Sequence, residues 1–181
     1  MDLGLDGARA LVGGGSGGLG GAIGAALTAE GARVALVARP SDRLDVAVAG
    51  LPGPGDGVAI AADLATPEGP ADAVARTVAA LGGLDLLLVN SGGPPPGTFD
   101  ELDEAAWNRA IDGTLWSALR LLRAALPHLQ ASDRPAILVI LSSSAREPIP
   151  GLTTSNLLRP GLVGLIKSRI DGKFIEYVGE I

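Results

Sequence analysis

The sequence predicts an α/β fold: a doubly wound parallel sheet with helices on both faces. Two observations predict it. Short runs that are apolar throughout alternate with longer amphipathic stretches, the pattern of strands buried on both faces and joined by crossover helices. The 181 residues, 47% hydrophobic and 19% charged with a mean hydropathy of +0.36, suit one core and carry no disorder signature.

The first strand is expected over Ala8 to Val12. Gly13-Gly14-Gly15-Ser16-Gly17-Gly18-Leu19-Gly20 follows it directly, and Leu19, Ile23, Ala26 and Leu27 then fall at helical spacing, so a helix is expected from Leu19 to Glu30 with Gly31 as its stop. A second strand over Val34 to Val37, a helix over Arg43 to Ala49 and a third strand over Val58 to Ala61 continue the alternation. Thr66-Pro67 reads as an N-cap with proline at the first helical position, opening a helix that runs to Leu81. Leu84 to Val89 and Ala136 to Leu141 are the fourth and fifth strands, separated by a long helix over Glu101 to Gln130 that Pro127 should kink or locally break. That helix carries Trp107, Ile111, Leu115, Trp116, Leu119 and Leu122 on more than one stripe. One stripe can face the sheet and another a second subunit, so a homo-oligomer is expected through it. A last helix is expected over Asn156 to Ser168.

The fifteen residues from Lys167 differ in kind: both lysines of the chain, Lys167 and Lys173, and its only tyrosine, Tyr177, lie there. The chain therefore reads as one domain over residues 1–166 and an atypical tail over 167–181, set aside in fold reasoning. The net charge of −6 and pI near 4.7 argue against nucleic-acid and anionic-membrane partners. With no cysteine and His128 as the lone histidine, no metal site is expected. Acids occupy the N-terminus where a signal peptide carries Lys or Arg, and no apolar run approaches the roughly 18 residues of a membrane span, so a cytoplasmic protein is expected.

The glycine loop between the first strand and first helix carries the functional signal. Glycine permits positive φ and admits a ligand against the backbone, while the helix N-terminus offers unpaired N–H groups and partial positive charge, so the loop is expected to bind a phosphate group. A flexible linker would not open an amphipathic helix behind a buried strand. The order Gly14-x-x-x-Gly18-x-Gly20 has no P-loop lysine, which disfavours an NTPase.

This spacing resembles that of the short-chain dehydrogenase/reductase family, whose Rossmann-type domain binds NAD or NADP. Asp63-Leu64 resembles the family's adenine-contacting aspartate motif, and Asn90-Ser91-Gly92-Gly93 resembles its turn after the fourth strand. The resemblance covers about Leu5 to Lys167. The stretches from Asn90 to Gly97 and from Ser142 to Gly151 look closest to 3-oxoacyl-acyl-carrier-protein reductase-like members. The resemblance implies cofactor contacts at Gly14, Ser16, Gly17, Gly18, Leu19, Gly20, Arg39, Asp63, Leu64, Asn90, Ser91 and Gly92. Asp63 equally suits a turn cap before Thr66, and Pro94 to Pro96 suit a stiffened loop. At the end of the second strand, where an NAD enzyme places an acid, this chain has Ala38, followed by Arg39 and Arg43. A guanidinium there can meet a 2′-phosphate, so NADP is the expected cofactor, against the alternative of solvated surface arginines.

The family reduces a carbonyl by hydride transfer with a tetrad of serine, tyrosine, lysine and asparagine. In the register set by Arg159-Pro160-Gly161-Leu162, Arg159 stands in the lysine's place, Ser155 in the tyrosine's and Thr114 in the asparagine's, while Ser142 matches the serine. These four are the candidate catalytic residues, although serines around 142 also suit a turn cap. A serine hydroxyl is far weaker as an acid than a phenol of pKa about 10, and an arginine of pKa above roughly 12 cannot shuttle protons. Asp112, Asp133, Glu147 and His128 form no second constellation. The family's last strands have no counterpart after Lys167, which would leave the fifth strand an edge unless Phe174 to Val178 or a partner covers it. The leading expectation is an NADP-binding oxidoreductase acting on a small carbonyl or alcohol substrate. A non-catalytic NADP-binding or interaction module and an inactive fragment are the alternatives.

Overall fold

A computed structural model describes residues 3–90 and 92–167. Its strands are β1 (Arg9–Gly13), β2 (Arg33–Ala38), β3 (Gly57–Ala61), β4 (Leu86–Val89) and β5 (Ala136–Val139). They form one five-stranded sheet in the order β3-β2-β1-β4-β5, with every pairing parallel. The helices are α1 (Gly18–Ala29), α2 (Asp42–Ala49), α3 (Gly69–Leu81), α4 (Glu104–Ala110), α5 (Ser117–Gln130) and α6 (Thr153–Lys167).

Alternation along the strands divides the core into two layers. Leu11, Val37, Ile60, Leu87, Val89, Ile137 and Val139 pack with Val74 and Leu81 of α3, Leu121, Leu122 and Leu129 of α5, and Leu162 and Ile166 of α6. On the other face Val12, Val34 and Leu36 pack with Leu44 and the half-buried Ile23 and Leu27 of α1 and α2. The chain reverses direction of winding between β1 and β4, which opens a crevice at the carboxyl ends of these strands.

Several element bounds differ from expectation: the long helix begins at Glu104 instead of Glu101, because the Asp103 carboxylate caps it by accepting from the Ala106 N–H at 2.7 Å. Helix α3 begins at Gly69, after Glu68 at the N-cap and with Pro70 in its first turn, not at Pro67. Thr66 still serves the start, because its hydroxyl accepts from the Gly69 N–H at 3.1 Å while donating to the Asp63 carbonyl. Helix α6 starts at Thr153, three residues before Asn156. Pro127 does not break α5, which continues through it to Gln130. The long helix is interrupted elsewhere: residues 111–116 form a π-helical segment between α4 and α5. Gly113 is a weak helix former there, and Ser117 donates its hydroxyl to the Gly113 carbonyl at 2.6 Å. Trp116 at the end of this segment is exposed, with the Arg120 guanidinium 5.0 Å from its ring centre. Helix α6 reaches Lys167; the rest of the expected tail lies outside the described residues.

At the amino edge of the sheet, Asp85 is buried and fully engaged. Its carboxylate accepts from the Arg9 backbone N–H at 2.8 Å, from Arg9 Nε at 2.8 Å and Nη2 at 2.6 Å, and from the Ser132 hydroxyl at 2.7 Å. This joins β1, the entry to β4 and the exit from α5. The Arg9 guanidinium holds the Asp85 carboxyl well below the usual carboxylate range.

Candidate functional site

At the carboxyl edge, β1 turns into α1 through the glycine loop. Gly14 has φ +64°, a left-handed conformation that suits glycine. A side chain on Gly20 would meet the backbone: its Cβ would stand 2.8 Å from the Gly13 carbonyl oxygen and nearer still to that of Gly14. A Cβ on Gly15 would lie 2.8 Å from that of Leu36, so the loop packs directly on β2. Helix α1 has glycine at its N-cap, no side-chain cap and no acid in its first turn, leaving its N-terminal dipole and N–H groups available to an anion. The residues present fit a dinucleotide pyrophosphate.

A cleft of about 770 Å³ opens beside the loop, lined by Gly14 and Ser16, by Ala38, Arg39, Ser41 and Arg43 after β2, by Asp63 and Leu64 after β3, by Asn90, Gly92 and Gly93 after β4, and by Gly113. Seven of the twelve expected cofactor residues therefore share one cavity. Gly17, Gly18, Leu19 and Gly20 form the adjacent loop end and the start of α1. Leu19 is exposed, and Ser91 lies outside the described residues. Asn90 donates its side-chain amide to the Gly13 carbonyl at 3.2 Å, which ties the turn after β4 to the glycine loop. The turn-cap reading of Asp63 is seen, one carboxylate oxygen accepting from the Ala65 N–H at 3.0 Å, and the residue also lines the cleft. Leu64 is also part of the core. Arg43 reaches the loop, with Nη2 3.6 Å from where a Gly17 Cβ would stand. Its place beside the cleft was signalled by spacing from Arg39 alone; Gly113 gave no sequence signal because its placement depends on the π-helical turn.

The four candidate catalytic residues come from β5, α6 and the π-helical segment. Ser142 follows β5 at the carboxyl rim and caps a 3₁₀ turn over Ser143–Ala145, so its turn-capping reading is realised. Ser144, which the sequence did not single out, is buried and donates its hydroxyl to Ser142 Oγ at 3.0 Å. It also shares a 2.8 Å hydrogen bond with the buried Ser155 hydroxyl at the start of α6. Arg159, one turn later, is 8% exposed and donates Nη1 to the Ile140 carbonyl at 2.8 Å. Burial pushes its guanidinium below the usual arginine range. Arg159 Nε and Thr114 Oγ1 are buried without protein partners.

The segment after β4 is fastened to α6. Thr154 donates its hydroxyl to the Pro95 carbonyl at 2.9 Å, the Gly97 N–H donates to Gly151 at 2.6 Å, and the Thr153 N–H donates back to Gly97 at 3.2 Å. Pro94 to Pro96 thus stiffen a loop that side-chain and backbone bonds hold in place. Among the described residues, no three acids or histidines cluster as a metal site and no helix is long and apolar enough to cross a membrane.

A parallel sheet with a glycine cradle at its switch point defines a Rossmann-type dinucleotide-binding fold. The short chain dehydrogenase family model matches residues 8–155, and the chain belongs to that family. L-Sorbose reductase from Gluconobacter frateurii, complexed with NADPH and L-sorbose, is 32% identical with a TM-score of 0.88, over 93% of this chain and 65% of its own. The NADH-dependent reductase A1-R′ complexed with NAD is 26% identical with a TM-score of 0.88, over 99% and 82%. An NADPH-bound short chain oxidoreductase from Pseudomonas aeruginosa PAO1, described as containing an atypical catalytic center, is 28% identical with a TM-score of 0.81, over 89% and 64%. The chain spans about 60% of the length of the curated relatives it matches.

Proposed function

We propose that this chain is an NADP-binding reductase domain acting on a carbonyl or alcohol substrate, with Ser155 and Arg159 in place of the family's tyrosine and lysine. The observation that carries the cofactor choice is the cleft wall after β2: Arg39 and Arg43 line it, and Ala38 stands where an acid would repel a phosphate. Two guanidiniums can meet a dianionic 2′-phosphate by charge-assisted hydrogen bonds. When bound, the nicotinamide supplies the hydride chemistry. The chain's own residues do the rest: the glycine loop and α1 hold the pyrophosphate, Asn90 keeps the turn after β4 against that loop, and Ser142 offers a hydroxyl at the rim. The loops from Asn90 to Gly97 and from Ser142 to Gly151 support a 3-oxoacyl thioester as the substrate class. The proposal includes a homo-oligomer formed through the helix that exposes Trp116.

A second reading, a non-catalytic NADP-binding module, is favoured by Arg159, whose Nη1 is committed to the Ile140 carbonyl inside the fold. Titration with NADPH, NADP and NAD separates the readings. Arg39→Ala and Arg43→Ala should each weaken NADPH by about tenfold or more and NAD far less, since a charge-assisted hydrogen bond contributes about 1.5–3 kcal/mol. Equal losses would remove the phosphate argument. NADPH oxidation with ketones or 3-oxoacyl thioesters supports the reductase, binding without oxidation supports the module, and absence of binding refutes both.

A further inference from the structure

We propose that Ser144 is a positioning residue that makes the Ser142 hydroxyl an oriented hydrogen-bond donor toward a bound oxygen acceptor. The inference rests on the reductase reading for the ligand, and on proton counting for the geometry. A serine hydroxyl has one proton and two lone pairs. Ser142 Oγ accepts from the Ser144 backbone N–H at 3.2 Å and from the Ser144 hydroxyl at 3.0 Å. Both lone pairs are thereby used, and the single Ser142 proton must point away from Ser144. Since the one Ser144 proton lies on Ser142, Ser155 must be the donor in the 2.8 Å bond between Ser144 and Ser155. The chain runs in one direction, from Ser155 through Ser144 to Ser142, and ends on an outward proton. Hydroxyl chains of this kind polarise cooperatively, so the terminal O–H is a stronger donor than an isolated serine.

The surroundings hold this direction. Ser144 and Ser155 are buried, so water does not compete for their protons, whereas Ser142 is half-buried at the rim. Ser155 lies between two anchored neighbours: Thr154 donates to Pro95, and the Asn156 amide bonds both the N–H and the carbonyl of Ile149 at 2.9 Å. Ser142 is one strand over from Asn90, because the Ile140 N–H continues the ladder to the Val89 carbonyl at 3.0 Å. A donor with no spare lone pair selects an acceptor such as a carbonyl or alkoxide oxygen.

Neutron diffraction from crystals of the full chain exchanged into deuterium oxide reads the three hydroxyl deuterons directly. The expected result is one deuteron from Ser155 toward Ser144, one from Ser144 toward Ser142, and one from Ser142 toward the rim. A Ser142 deuteron pointing at Ser144 overturns the proposal. In NADPH oxidation with a ketone panel, Ser144→Ala should lower kcat about tenfold with KM for NADPH unchanged, and Ser144→Thr, which keeps the hydroxyl, should stay within about threefold of the parent. An unchanged kcat in Ser144→Ala also overturns it. If the parent chain reduces no ketone, the reductase reading fails while the deuteron positions alone decide the orientation of Ser142.

Discussion

Two adjacent glycines in the first turn of α1 should respond to the same substitution with opposite signs. Exchange of glycine for alanine in a helix gains about 1 kcal/mol from the smaller loss of backbone freedom, and this applies to both Gly20 and Gly21. Packing separates them. The new methyl at Gly21 would lie 3.5 Å from the Gly15 carbonyl oxygen, an ordinary contact, whereas at Gly20 it would lie 2.8 Å from the Gly13 oxygen and within closer reach of the Gly14 oxygen. Neither oxygen belongs to a flexible side chain, so the turn between β1 and α1 must open, at the cost of about 1–3 kcal/mol typical of overpacking. Gly21→Ala should be about 1 kcal/mol more stable than the parent and Gly20→Ala about 1 kcal/mol less stable, a gap of roughly 2 kcal/mol. For a chain of this size that corresponds to roughly 4–8 °C between their midpoints. Urea and thermal unfolding measure the gap. NADPH titration adds the functional half: Gly20→Ala should bind at least about tenfold more weakly, and Gly21→Ala about as well as the parent. Equal stabilities for the two variants would refute the account of the cradle.

Other substitutions test the frame around the site. Asp85→Asn should cost about 2 kcal/mol, below the 3–5 kcal/mol of a fully buried pair because Arg9 is partly exposed, while NADPH binds the folded fraction normally. Because the folded Asp85 carboxyl titrates below its unfolded value, its contribution is complete above about pH 4 and is lost as pH falls toward the folded value, so the gap from the parent should shrink in acid. A gap that stays constant between about pH 5 and pH 2 would contradict the network's role. Thr77 is wholly buried with its hydroxyl unpartnered, so Thr77→Val should stabilise the chain by about 1 kcal/mol in urea unfolding. A loss of stability there would mean the hydroxyl has a partner, such as an internal water.

What the sequence revealed and what it concealed follow from the range of the interactions involved. The five strands were legible because each is short and apolar on both faces, and the cradle was legible because glycines at Gly14, Gly18 and Gly20 sit between a strand and a helix. The π-helical turn over residues 111–116 was not, because local periodicity does not distinguish an added residue from a broad apolar face. The Pro127 expectation failed because the rest of the turn is held in the core by Leu121, Leu122, Ala125 and Leu129. Asp85 gave no signal, since its partners Arg9 and Ser132 lie 76 and 47 residues away. Ser144 was hidden among three consecutive serines, whose pattern cannot say which one turns inward.

The bonds joining Pro95 and Gly97 to residues 151–154 have a mechanical consequence. A shift of the first turn of α6 would strain these bonds, so the proline loop and the buried hydroxyl of Ser155 are mechanically coupled, and cutting the tether at Thr154 would uncouple them.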